Sequence, residues 1–195
     1  MQIRISNCLW KNLLVVSAFT GIFCSGVLAQ SSNDQPTVKD FQDRIAKYIA
    51  SRKQENVAHD SSASPAKVTD QQKQAAQKIR HSRVGAKQGD IFTPRIAAYF
   101  KKQLEATLKG PNGAKVRTSL QHAEPLPNVP LSVNQKYPPN LPLQSTPPTL
   151  LLNLPRLPSE LQYRLVGQTL VLYDTGADLI VDLLPDAIPG DVNKK

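Results

Sequence analysis

Asp174-Thr175-Gly176-Ala177 stands between two apolar runs in VLYDTGADLIVDLL, residues 171–184. Two Asp-Thr/Ser-Gly loops placed face to face can share one proton and activate a water, which is the chemistry of an acid hydrolase. The chain carries one such motif, so this chemistry would need a dimer. The 18 residues after Ala177 supply one further strand and no flap to close over a substrate. The other reading is a turn, in which Gly176 lends a permissive backbone and Asp174 a side-chain bond. On that reading Asp174→Asn keeps the fold, whereas Gly176→Val is the worse lesion wherever the turn needs positive φ. The turn is the expectation, and a hydrolase built on Asp174 ranks third among the functions weighed below.

Other chemistry has less support. His59, His81 and His122 fall in three different elements, and no pair has the four-residue spacing that puts two imidazoles on one helix face. His81 would need Asp70 or Asp90 brought to it by the fold before it could hold a metal, so surface histidines are expected. No Gly-x-Ser-x-Gly elbow and no glycine-rich phosphate loop is present, since GAKQGD lacks both the spacing and a following Lys-Ser/Thr. No cofactor is implied.

Residues 1–29 have the pattern of a secretory signal: Arg4 and Lys11 near the start, the apolar stretch LLVVSAFTGIFCSGVLA, and a small residue at the cut. Cleavage is expected between Ala29 and Gln30. The stretch is shorter than the roughly 20 residues of a membrane-spanning helix, so no transmembrane segment is expected after cleavage. Phe23 before Cys24 fits lipid attachment poorly. Both cysteines, Cys8 and Cys24, and Trp10 lie inside the signal. A cleaved chain would therefore have no disulfide, no cysteine nucleophile and no thiolate-bound metal.

The charge is uneven. Residues 30–110 hold 15 Lys and Arg against 8 Asp and Glu, whereas 111–195 hold 7 against 7. An exported basic segment meets anionic surfaces first, and weak, salt-sensitive contact with them is expected. The cations are scattered and no aromatic residues are interleaved to stack on bases, so specific nucleic-acid binding is not expected.

These residues must be positioned by a few elements. TVKDFQDRIAKYIASRK, 37–53, repeats Val38, Phe41, Ile45, Tyr48 and Ile49 at helical spacing, with Thr37 as the candidate N-cap. TDQQKQAAQKIRHSRVG, 69–85, has a thinner stripe of Ala75, Ala76 and Ile79, with Val84 as a candidate fourth member and Gly85 as the expected end. Thr93, Pro94 and Gly110 punctuate a third helix, Pro94 to Lys109, with Ile96, Ala97, Phe100, Leu104 and Leu108 on one face. The loop GAKQGDIF before it should tuck in Ile91 and Phe92. Eleven prolines in residues 111–158 forbid long helices and central strands, yet Leu126, Val129, Leu131, Val133, Tyr137, Leu141 and Leu143 give that segment apolar side chains to bury. An ordered, extended strap is expected there. LQYRLV, TLVLYD and DLIVDLL then read as strands, with Gly167-Gln168 as a type II′ hairpin turn. Pairing sets Leu165 against Leu170 and Tyr163 against Leu172. A second turn through Thr175-Gly176 sets Leu172 beside Leu179 and Leu170 beside Val181, with Asp178 and Asp182 on the opposite face.

The tail YRLVGQTLVLYDTGADLIVDLL resembles the C-terminal hairpin module of small periplasmic proteins of the nickel/cobalt-homeostasis regulator family, in which Tyr-Arg, Val-Gly and Ile-Val-Asp recur in a short meander. AKQGDIFTPRIAAYF, LPSELQYRLVGQTLVLYD and LIVDLLPDAIP are together similar to a set of short exported bacterial proteins, a resemblance that implies export and no particular activity.

The expected fold class is α+β: a signal peptide (1–29), a basic helical region (30–110), a proline-rich strap (111–158), a three-stranded antiparallel β-meander (159–189) and a disordered tail (190–195). The expected function is that of an exported envelope or periplasmic protein, non-enzymatic, acting by binding or as a structural component with an envelope partner. The alternative is a periplasmic regulatory factor that binds a metal or an anionic ligand.

Overall fold

The computed structural model describes residues 34–55, 65–121, 130–139, 141 and 146–189, the side chains of 65–67 and 121 excepted. The signal, its cut between Ala29 and Gln30, His59, His122 and the 190–195 tail lie outside the described residues. So do Leu126, Val129 and Leu143 of the strap.

The fold is α+β. Helices α1 (Gln35–Gln54), α2 (Pro65–Ser82), α3 (Pro94–Lys109), α4 (Gly113–Gln121) and the single turn α5 (Pro148–Leu151) precede three strands, β1 (Leu161–Val166), β2 (Thr169–Asp174) and β3 (Leu179–Leu184). The strands form one antiparallel meander in the order β1-β2-β3. Two of the helices fall where an extended chain is expected. Residues 113–121 carry no proline, so α4 forms directly after Pro111-Asn112. Pro148 sits in the first turn of α5, where its missing N–H costs nothing. Helix α1 starts earlier than expected, with Asp34 at the cap and Thr37 inside. Val84 lies beyond the end of α2 and is exposed.

One face of the sheet packs on the helices. Thr37, Phe41, Ile45, Tyr48 and Arg52 line the buried face of α1, and Ile96, Tyr99, Phe100, Leu104 and Leu108 that of α3. Phe100 is the hub of this core, with ring centres 4.9 Å from Phe41, 5.2 Å from Phe92 and 5.8 Å from Tyr163. Ile91 and Phe92 are buried here as well. The other face of the sheet is covered by part of the proline-rich segment. Tyr137 and Leu141 join Val171, Tyr173, Ile180 and Leu183 in a second buried cluster, against which Leu131 and Val133 pack. The segment also borders β3: Asn134 donates its amide to the Ile180 carbonyl at 2.8 Å, and Ile180 donates to Gln135 at 2.9 Å. Arg164 holds the layers together, its guanidinium 3.7 Å from the centre of the Tyr173 ring and 4.7 Å from that of Tyr137. With both faces covered, β3 is buried along its whole length, which accounts for its nearly unbroken apolar sequence.

The first hairpin pairs Leu165 with Leu170 and Tyr163 with Leu172. Gly167 has φ +59° while Gln168 is not among the positive-φ residues, the pattern of a type II′ turn. The second hairpin differs from the expected register. Asp174 pairs with Leu179 and Tyr173 with Ile180; the register then shifts, so that Leu172 faces Asp182 and Leu170 faces Leu184. The turn is four residues, 175–178, because the Asp174 carboxylate draws the next amides back over itself. Asp178 takes the left-handed conformation at φ 49°. The shift leaves Val181 as the extra residue of a bulge. Asp182 is thereby carried onto the helix-facing side with Leu172, and its expected place on the opposite face is corrected.

Candidate functional site

Asp174 ends β2 and is fully buried, at 0% exposure. Its Oδ1 accepts the amides of Gly176 and Ala177, each at 2.9 Å. Its Oδ2 accepts the Tyr48 hydroxyl at 2.7 Å and Arg52 Nε at 2.8 Å. The side chain thus bonds into the turn and also forms an ion pair with α1, with Arg52 only 5% exposed. Two bonds to each oxygen use the acceptor capacity of a carboxylate, and no face is left to hold a water for hydrolysis.

Gly176 is required for a different reason from the one expected. Its φ is not positive, but a Cβ there would overlap Arg52 Nη2. The small residue makes room for the guanidinium beside the turn. This reverses the expectation for Asp174→Asn, which now removes the countercharge of a buried arginine. Arg52 is the partner that sequence reasoning missed. The signal was present, because Arg52 lies four residues after Tyr48 and seven after Ile45, on the apolar stripe of α1; a charge in that position calls for a buried partner.

Asp182, also at 0% exposure, is the second buried carboxylate. Its Oδ1 accepts the amides of Gly89 at 2.9 Å and Leu183 at 2.8 Å, and its Oδ2 those of Ile91 and Phe92, both at 2.7 Å. A strand residue therefore organises the loop between α2 and α3 through backbone donors, the dipoles offsetting the burial of its charge.

The loop, α1 and the end of α2 enclose a cleft of about 410 Å³. Arg44, Lys47 and Ser51 of α1 line one wall, and Ser82, Arg83 and Asp90 line others. Arg44 Nε bonds Asp40 at 2.9 Å, and its Nη1 donates to the Asp90 carbonyl at 2.7 Å. A second, smaller cleft of about 160 Å³ lies between α2 and the second hairpin turn, with Lys73, Arg80, Lys136 and Asp178 on its walls.

The residues considered for metal do not converge. His81 and Asp70 are exposed on α2, and Asp90 sits in the loop with its Oδ2 taking the Lys87 amide. Among the described residues, no three of His, Cys, Asp and Glu come together as a group that could hold a metal ion. Among them, too, no helix is long and apolar enough to cross a membrane.

Burial raises the phenol of Tyr48 above its ordinary value of 10.0, and the adjacent Asp174 charge and hydrogen bond add to it. Burial likewise raises Tyr163, Tyr173 and Tyr137. A phenol that keeps its proton longer when folded contributes stability that is complete below its unfolded value, about pH 10, and is lost as pH rises toward the folded value. In an alkaline titration we expect tyrosinate absorbance to stay low past the ordinary range, then climb in one cooperative step together with loss of the helical circular dichroism. Gradual ionisation of most tyrosines near the ordinary value, with the helical signal intact, would contradict this packing.

Comparison with protein-family models, curated proteins and solved structures returns no match.

Proposed function

We propose that the chain is an exported, non-enzymatic binding protein of the bacterial envelope, a reading supported by its resemblance to short exported bacterial proteins. The observation that carries the non-enzymatic part is the state of Asp174, whose four acceptor positions are taken by Tyr48, Arg52 and two turn amides. A catalytic aspartate needs an open face and a second carboxylate, and this one is walled in by α1. Concave surface is instead found where basic side chains line the clefts of α1 and α2, which supports binding. Export is supported by the signal pattern of residues 1–29.

Two measurements test the reading together. Material recovered from the envelope should begin at Gln30 on N-terminal sequencing, whereas a start at Met1, or at a lipid-bearing Cys24, overturns cleavage and release. Incubation at acidic pH with a mixed peptide library should give no pepstatin-sensitive cleavage. Cleavage that pepstatin stops and that Asp174→Asn abolishes in a still-folded chain would replace the binding protein with a hydrolase.

A further inference from the structure

We propose that the larger cleft binds a phosphate-bearing ligand about the size of one sugar ring, an inference that rests on the binding reading above. Arg44, Lys47 and Arg83 line it with a single carboxylate, Asp90, so the lining has a net charge of +2. Asp40, bonded to Arg44 from outside the lining, lowers this to +1. The surplus is fixed in place. Arg83 Nη1 donates to the Asn134 side-chain oxygen at 3.3 Å, its Nη2 donates to the Val181 carbonyl at 3.2 Å, and its guanidinium carbon lies 5.1 Å from the centre of the Tyr48 ring. All three partners are neutral, so they hold the cation without cancelling it. Arg44 is held in turn by the Asp90 carbonyl.

Guanidinium groups ordered on folding do not lose that freedom again when an anion arrives, and their planar donor forks match phosphate oxygens. Lys47 and Ser51, one turn apart on α1, add a mobile ammonium and a hydroxyl on the same wall. Arg83 also complements the negative end of α2, but the partial charge of a helix terminus, about half a unit, does not cancel a full one. A volume of about 410 Å³ exceeds the needs of a bare phosphate. Ile91 and Tyr48, both nearly buried, close the floor of the cleft, and the remaining space is left for what the phosphate is attached to.

The test follows the purified chain by thermal melting and by amide NMR with four probes: glucose 6-phosphate, glucose, inorganic phosphate and phosphatidylglycerol vesicles. Glucose 6-phosphate should raise the melting temperature and shift amides within 44–51 and 82–91, with glucose doing neither. Added salt should weaken the effect, since half-exposed cations are screened. Lys47→Gln, which alters an exposed side chain, and Arg83→Gln should each raise the dissociation constant by about tenfold. Lys47→Gln keeps the test decisive if Arg83→Gln does not fold. Response to vesicles alone assigns the phosphate to a lipid headgroup, and response to glucose 6-phosphate alone to a free sugar phosphate. Silence with every phosphate probe, an equal response to glucose, or unchanged affinity in Lys47→Gln overturns the site. Phosphorus NMR of the same samples separates the two readings: a ligand that binds and is hydrolysed keeps the site but ends the non-enzymatic assignment.

Discussion

Asp182→Asn is expected to cost the protein about 3 kcal/mol or more, from two buried amides left facing donors at roughly 1–3 kcal/mol each. The two carboxylate oxygens each accept two backbone amides, those of Gly89 and Leu183 on one side and of Ile91 and Phe92 on the other. An asparagine has one oxygen, so whichever way its amide is turned, an NH₂ group confronts two N–H donors inside the core. The loss should be felt first between α2 and α3, because three of those amides belong to the loop that buries Ile91 and packs Phe92 on Phe100. Chemical denaturation should give a lower midpoint, and hydrogen exchange should show faster exchange at 89–92 than elsewhere. A variant as stable as the parent would mean that the loop is held by its apolar side chains alone.

Arg52→Ala should be comparably severe, about 3–5 kcal/mol, because it leaves the Asp174 carboxylate buried without its cation. The contrast with the Lys39–Asp43 pair is instructive. That pair is shorter, at 2.7 Å, but its side chains are 73% and 63% exposed, and Lys39→Ala should change stability by less than about 1 kcal/mol. Burial decides the difference, since solvent screens one pair and not the other. A cycle with Asp174→Asn provides the internal check. The Arg52→Ala, Asp174→Asn double variant should be less damaged than the sum of the singles, because each single strands a partner that the double removes. Simple additivity would show that the two side chains act independently, against the 2.8 Å geometry.

Much of the architecture was legible because it rests on local rules. The helical spacing of Phe41, Ile45 and Tyr48, the Thr93-Pro94 start of α3, and the Gly167-Gln168 hairpin are consequences of backbone geometry within one or two turns of chain. The α+β class, the three-stranded meander and the burial of Ile91 and Phe92 follow from them. The second hairpin was less legible, since a turn of two residues and a turn of four both satisfy an alternating apolar pattern. The choice between them came from the Asp174 carboxylate folding back over Gly176 and Ala177.

The sequence by itself determined the three long helices, the three strands and the place of the DTGA motif at a turn, because these depend on residue type and short-range spacing; α4 and α5, inside the proline-rich segment, it did not determine. Only the tertiary structure decided what the charged residues do. Arg52 and Asp174 are 122 positions apart, and Asp182 lies 91 positions from the Ile91 amide. The spacing of apolar residues along a chain carries no information about which distant carboxylate a buried arginine will meet. Nor did it reveal the bulge that turned Asp182 inward, since one extra residue in β3 exchanges the two faces of everything beyond it. Packing selects that arrangement because a carboxylate on the helix side finds three amides of the loop there, those of Gly89, Ile91 and Phe92.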